Sequence, residues 1–497
     1  MLTMTRRQVL HTLAMGAAGA VLAACQPPAA APTAEAPTQA AAQPTAAGEQ
    51  PTAAVPPTAA SGIPEIQVPT GDTIEGFVPK LANPADKLNI LYWWGNNYEP
   101  ALEYTNQIIA RFSLAYPNVT IEPVAGQNCD AFVTAAAAGT PPDVFHTWDC
   151  VERMGNWALR KMILPLDDYI AKDDYPLDDF VPGIMDTCKM DGKVWGMVDC
   201  AGVFLLWTRP PQLADIGQDP MAVPADTDEL WDWARKLTTK DADGNIQRLG
   251  MTIPTWTWPR FTWIVNFGGE LWDTANNEPT PDHPGAVEAL KDLVAQVEYY
   301  GVDAIDRWST SLGSQGGEQN PWLAGNLTMQ VDGDWTGQII FDFHPEWQFG
   351  TDYGAAAPPP PPKAKQHGES AVAFWSWPWV IPAGTKVPEW SWEVLRFFKS
   401  AEYACNVHSK FKEILVQKSL MDDARLWYPS ASVAKEIVKG ARKLTTVMPM
   451  NPVAGEYSNL LAEAFDSILH LQETPEAAMA RVKTETKAKL EEAMQGG

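Results

Sequence analysis

Positive charge is scarce in this chain: 36 Lys and Arg face 61 Asp and Glu over 497 residues, a formal net charge of −25. No basic cluster interrupts that balance, which argues against nucleic acid and anionic membrane surfaces as partners, since both would repel an acidic fold. Catalytic signatures are missing as well. There is no Gly-x-Ser-x-Gly elbow, no HExxH pair and no Walker loop, and no metal or cofactor set is expected. The acid pairs Asp167-Asp168, Asp173-Asp174 and Asp178-Asp179 read as helix starts and solvated loops rather than a glycosidase couple, although two distant carboxylates would leave a glycoside-acting enzyme open. Large apolar side chains are almost absent from Gln26 to about Gln67, a run of Ala, Pro, Thr and Gln that cannot bury a core and reads as a semi-extended tether. The apolar run Leu13 to Ala24 is too short to span a bilayer comfortably.

What the chain has in quantity is tryptophan, 22 residues of it. Five fall in Ala371 to Ser400, where Trp375, Trp377 and Trp379 alternate with Ser376 and Pro378. A strand of period two would project all three rings to one side as an aromatic wall. Pro382 ends that strand, Ala383-Gly384 turns the chain, and Pro388-Glu389 opens a helix with Trp390, Val394, Phe397 and Phe398 toward a core. Further back, Lys87 to Trp94 reads as a strand, Leu102 to Tyr116 as a helix stopped by Pro117, and Asn118 to Val124 as a second strand. Strand, helix, strand in that order indicates a parallel α/β sheet with right-handed crossovers.

Several elements in fixed order resemble the extracellular solute-binding proteins of ABC-type importers, especially the sugar-binding group. They are Phe112 to Val124, the Gly139-Thr-Pro-Pro-Asp143-Val turn, Pro165-Leu-Asp-Asp-Tyr-Ile170, the Asp191-Gly192-Lys193 hairpin, Trp322 to Trp335, and Ile381-Pro-Ala-Gly-Thr385. The resemblance implies a two-lobed periplasmic-binding-protein fold, each lobe a mostly parallel sheet flanked by helices. Lobe 1 is expected at 85–203 plus about 375–425, and lobe 2 at 204–374 plus about 426–497. It also implies a monomer without catalytic activity that binds a carbohydrate in the cleft and passes it to ABC permease subunits. The start of the chain, Arg6-Arg7 followed by Leu22-Ala-Ala-Cys25, resembles a twin-arginine export signal joined to a lipoprotein box. That implies cleavage of 1–25 before Cys25, lipidation of Cys25, and an exported protein held to the membrane by a tether and arm over 26–84.

Sugars offer apolar C–H faces to rings and hydroxyls to short polar groups. On that ground the expected ligand contacts are Trp94, Asn96, Trp148, Asp149, Trp256, Trp258, Asp334, Trp335, Trp375 and Trp377. Rings and acidic charge would equally suit a peptide or a cationic ligand. Trp207-Thr208-Arg209 stands where the family usually has Tyr-Asn, and Lys240 to Asn245 is a solvent loop rather than a calcium loop because Ile246 replaces the needed Gly. Export would permit disulfides among the five cysteines left after Cys25. Cys129 precedes a helix and Cys150 follows the strand returning from it, so these two are expected to bridge. Cys188 and Cys200 flank the Asp191-Gly192 turn and form a second expected pair, leaving Cys405 free. All five could instead be small core residues.

Overall fold

The structure is a computed structural model that describes residues 67–496, apart from 97, 254–256, 312–317, 364–366 and 447. Cys25 and the tether lie outside the described residues. Strand β1 (Leu88–Trp94) buries Ile90, Tyr92 and Trp94 on one side and pairs in parallel with β2 (Val119–Val124) and β3 (Val144–His146). Helix α1 (Glu99–Ala110) connects the first two strands and α2 (Cys129–Ala137) the next pair, the helical crossovers that parallel strands require.

Strand β4 (Met197–Thr208) is buried along its whole length and is the spine of the molecule. The sheet continues through β5 (Thr239–Lys240), β6 (Ile246–Met251), β7 (Leu327–Gly333), β8 (Gly354–Ala356), β9 (Ala371–Val380), β10 (Ile414–Leu415) and β11 (Lys443–Thr446). Its path is β2-β1-β3-β9-β4-β7-β6-β5, with β8 and β10 also on β4 and β11 on β9. The two ends of β4 serve different neighbours: Met197 to Val203 lie opposite β9, and Phe204 to Thr208 lie opposite β7. Two sub-sheets therefore meet along β4 and β9. A strand buried on both faces should read as a continuous apolar run, and Val203-Phe-Leu-Leu-Trp207 does.

The helices follow local rules with small corrections. Helix α3 (Thr227–Leu237) is capped by Asp226, whose side chain accepts from Glu229 N–H at 2.9 Å; Thr227 is its buried first residue. The Trp256 to Trp258 run, which alternates like a strand, leads into helix α4 (Thr257–Asn266). Helix α5 (Pro284–Tyr300) buries Ala286, Leu290, Leu293 and Val297. Asp191 and Gly192 both take positive φ, 53° and 73°, and join Lys189–Met190 to Lys193–Val194 as the Asp-Gly hairpin demands. Among the described residues no helix is long and apolar enough to cross a membrane.

Residues 68–81, ahead of β1, are docked rather than loose. Phe77 packs 5.7 Å from Phe397 and 5.9 Å from Phe112. Arg111 donates to the carbonyls of Pro69, Gly71 and Thr73. Glu75 and Glu402 exchange two backbone-anchored hydrogen bonds of 3.0 Å. Glu402 belongs to helix α8 (Ala401–Phe411), which follows α7 (Pro388–Phe398) on the same side.

Cys129 and Cys150 form a disulfide with a Cα separation of 5.7 Å. The bridge closes the first turn of α2 onto the turn that follows β3. The expected Cys188–Cys200 pair is not formed, and both thiols are buried and free, as is Cys405. The reason lies in the pairing: the strands of the 189–194 hairpin form a separate two-stranded sheet, whereas Cys200 is held in β4 opposite Leu415 of β10. Replacing Cys129 and Cys150 by serine is expected to lower stability by about 2 kcal/mol, the low end for a loop this short. Urea unfolding of the variant against the parent checks it, and an unchanged midpoint and slope would refute it.

Candidate functional site

Two ring clusters stand on either side of the β4 and β9 crossing. In the first, Trp335 follows the end of β7 and lays its half-buried ring over the backbone of that strand. A Cβ at Gly333 would sit 2.1 Å from the Trp335 ring, and one at Gly202 would sit 2.9 Å from it and 2.7 Å from Trp377. Glycine is thus required at both positions for the rings to lie where they do. Trp335 meets Trp377 at 6.2 Å and Phe204 at 5.5 Å, both edge-on. In the second cluster Trp94, at the end of β1, packs 5.9 Å from Phe411, and Tyr98 packs 5.8 Å from the same ring. Asn96 is nearly buried and its Oδ1 accepts from Tyr98 N–H at 2.6 Å, which shapes the turn between β1 and α1.

The ten expected contacts divide as follows. Trp335, Trp377 and the neighbouring Trp375 are grouped around the crossing strands, with Trp375 and Trp377 each 6 % exposed. Trp94 and Asn96 lie together at the end of β1, both buried. Trp148, Asp149 and Trp258 are placed by their backbone alone, at the turn after β3 and the first turn of α4, and Trp256 lies outside the described residues. Trp379 leaves the expected wall. A register shift falls between Ser376 and Pro378, and the Trp379 ring lies among Phe398 and Tyr403 with its indole N–H on the Tyr92 hydroxyl at 3.3 Å.

Asp334 points into the protein. Its Oδ1 accepts from Val203 N–H at 3.2 Å, and its Oδ2 has no hydrogen-bond partner among the described residues. Burial, reinforced by the Glu413 charge, pushes its carboxyl well above the usual carboxylate range. A carboxyl whose folded pKa is raised binds its proton more tightly when folded. That advantage is complete below the unfolded value near 3.8 and is lost as pH climbs toward the folded one. Asp334→Asn keeps the acceptor for Val203 and removes the ionisation. The variant is expected to match or exceed the parent in thermal midpoint at pH 8, with the difference closing below pH 4. A variant clearly less stable at pH 8 would mean that a charged carboxylate is needed there.

Behind the rings lies a charge cluster that sequence reading missed. His408 of α8 places Nε2 2.8 Å from Asp199 Oδ1 and Nδ1 2.8 Å from Glu413 Oε2. His146 Nε2 stands 3.2 Å from the other Asp199 oxygen. Lys399 Nζ donates to the Asp199 carbonyl at 2.7 Å, and the Cys200 thiol to Glu413 at 3.4 Å. Burial alone would lower the His408 pKa, but the two carboxylates override it and raise it to about 9. Burial likewise pushes Asp199 upward, and His408 and His146 more than reverse that, holding it well below the usual range. Asp199, Cys200 and His408 offer ligand atoms within 4.8 Å of one another. His408 already gives both ring nitrogens to carboxylates, so this is an ion-pair cluster and leaves no imidazole lone pair for a metal.

A separate cavity of about 370 Å³ lies between the end of α4, the start of β9 and β11, lined by Asp186, Lys189, Asp273, Glu369 and Lys443 among others. None of the ten expected contacts lines it.

Comparison with known proteins bears on this arrangement. Residues 96–404 match the family of bacterial extracellular solute-binding proteins. The maltotriose-binding protein of Pyrococcus abyssi is 23 % identical over 324 residues, 61 % of this chain and 61 % of that protein. The chain thus spans about three fifths of the length of that curated relative. Among solved structures, CpMnBP1 with mannotriose bound superposes with a TM-score of 0.69 at 22 % identity over 80 % of this chain and all of that one. An ABC substrate-binding protein of Listeria monocytogenes in complex with cycloalternan gives 0.66 at 19 % identity, covering 82 % of this chain and 99 % of that one. Maltose-bound MalE3 of T. maritima gives 0.63 at 20 %, covering 81 % and 100 %. At these identities the superpositions establish the fold, a two-lobed α/β architecture of the maltose-binding type.

Proposed function

Because the chain belongs to the bacterial extracellular solute-binding protein family, we propose that it captures an extracytoplasmic carbohydrate, an oligosaccharide, between its lobes and delivers it to an ABC-type permease. The observation that carries this reading is Trp335, laid over the glycine backbone at Gly333 and Gly202 with its ring edge-on to Trp377. A ring fixed in this way is a rigid stacking surface, and glycines on both strands keep bulk away from it. The relatives named for maltotriose, mannotriose, cycloalternan and maltose support the ligand class. Trp94, Asn96, Trp148, Asp149, Trp256, Trp258 and Trp375 complete the proposed contact set, with Asp334 acting from beneath by fixing the strand rather than by touching ligand. Lobe 1 takes in 85–203 and about 375–425, lobe 2 takes in 204–374 and about 426–497, and the strand order, with β2, β1 and β3 on one side of the crossing and β7, β6 and β5 on the other, supports that division.

Binding needs no chemistry at a bond. A ligand that contacts both lobes favours the closed form by its extra affinity for it, and closure is the state a permease reads. The protein works without catalysis, as a monomer, exported and held by lipid on Cys25 at the end of its tether. Tryptophan fluorescence titrated with maltotriose, mannotriose, a tripeptide and spermidine tests the ligand class. A sugar response is expected; a response to tripeptide or spermidine alone would select those ligands instead, and turnover of a glycoside would make the protein an enzyme. Mass spectrometry of native protein should find a diacylated Cys25 at the N-terminus, and an intact Met1 would overturn the anchor.

A further inference from the structure

We propose that the last turn of helix α6 (Thr336–Phe343) is a latch across the mouth of the cleft, gripped by Tyr98 and Lys412; the proposal rests on the ligand-binding reading above. Helix α6 hangs directly from Trp335 at the end of β7, so one rigid rod carries the stacking ring at its head and the latch at its foot, about 10 Å away at 1.5 Å per residue. At the foot, two adjacent residues are held by two different elements. The Asp342 carboxylate accepts from the Tyr98 hydroxyl at 2.6 Å. Next to it, Lys412 Nζ lies 4.5 Å from the centre of the Phe341 ring, a cation–π distance.

Tyr98 and Lys412 come from the other side of the crossing strands. Tyr98 stands in the turn that follows β1, fixed there by Asn96, and Lys412 closes α8 in a left-handed conformation, φ 56°. Phe411 ties those two supports into one body by packing on both Trp94 and Tyr98. Lys412 is itself nearly buried, with Nζ donating to Ser409 O at 2.7 Å, so it is a fixed post rather than a searching side chain. Asp342 is at the surface, where a rim should be, and Gln338 one turn earlier reaches the same oxygen at 3.4 Å. A ligand that draws Trp335 toward the crossing strands carries Asp342 to Tyr98. The latch then slows release without touching the ligand.

The test uses the full chain and Tyr98→Phe, Asp342→Asn and the double variant. Without ligand, hydrogen exchange over 336–343 is expected to quicken roughly fivefold in each single variant, the gain from one surface hydrogen bond to a charged group. The double variant should add nothing beyond either single one, since both remove the same bond. With maltotriose and mannotriose in stopped flow, dissociation should quicken by the same factor with association unchanged. Unchanged exchange in all three variants overturns the latch, and so does quickened exchange with an unchanged dissociation rate. Quickened exchange in a protein that binds neither sugar leaves the latch standing and removes the sugar reading.

Discussion

Replacing His408 by alanine is expected to destabilise the protein by about 3–5 kcal/mol, because it leaves two buried carboxylates without their cation. His408 bonds Asp199 through one ring nitrogen and Glu413 through the other, both at 2.8 Å, and all three side chains are almost fully buried. The pH dependence follows from the sign of the shift. A histidine whose pKa is raised from 6.5 to about 9 contributes its full stabilisation below the unfolded value and loses it as pH rises through 9. A change of this size corresponds to about 3 kcal/mol. The low pKa of Asp199 reports the same contacts and adds nothing to that figure. Lys399, also buried beside Asp199, has its pKa lowered by desolvation, so its own contribution runs the opposite way and recovers as pH rises. The readout is therefore the difference between parent and variant. Urea midpoints of the parent should fall toward those of His408→Ala between pH 7 and 10, with Glu413→Gln as a second variant that keeps the volume. Parallel curves for parent and variants across that range would sink the idea.

This cluster marks the limit of what the sequence discloses. The strand-helix-strand opening was legible because period-two and helical stripes record local burial, and the Asp191-Gly192 hairpin because only one turn geometry suits that dipeptide. The Cys129–Cys150 bridge followed from the short path through α2 and β3. The charge cluster could not be read in that way. Asp199 stands in β4, His408 in α8 and Glu413 just beyond it, and nothing in the local pattern of Val198-Asp-Cys200 says which distant histidine will meet the carboxylate. The only signal was negative: an acid inside an otherwise apolar strand must find a partner. Trp379 failed for a related reason. Alternation predicts one face for Trp375, Trp377 and Trp379, but β4 contributes an extra residue opposite Trp377, with Ser376 facing Ala201 and Pro378 facing Val198. That irregularity belongs to the partner strand and leaves no trace in the sequence of β9. Asp334, expected at the ligand as a short polar group, stands in the turn between β7 and α6 rather than in the strand, and its carboxyl turns inward to the Val203 N–H.

Trp335 is where fold and proposed function converge, and its truncation is the second large effect. Trp335→Ala is expected to weaken sugar binding about a hundredfold, the loss of about 3 kcal/mol typical of removing a central aromatic anchor. Stability should change less than affinity, because the ring is half-exposed and rests on glycine backbone rather than filling a core. Trp335→Phe keeps a smaller stacking face and should recover part of the loss. Gly202→Val separates ring position from ring identity. Its Cβ would stand under 3 Å from both Trp377 and Trp335, displacing the two rings while leaving every aromatic residue in the chain. If the orientation of Trp335 is what recognises the ligand, the valine variant should bind as poorly as the alanine one, with near-normal association with neither sugar. Calorimetric titration of all three variants with maltotriose and mannotriose decides it. An unchanged dissociation constant in Trp335→Ala would move the ligand away from this ring, and tight binding by Gly202→Val would show that the glycine floor beneath it is not required.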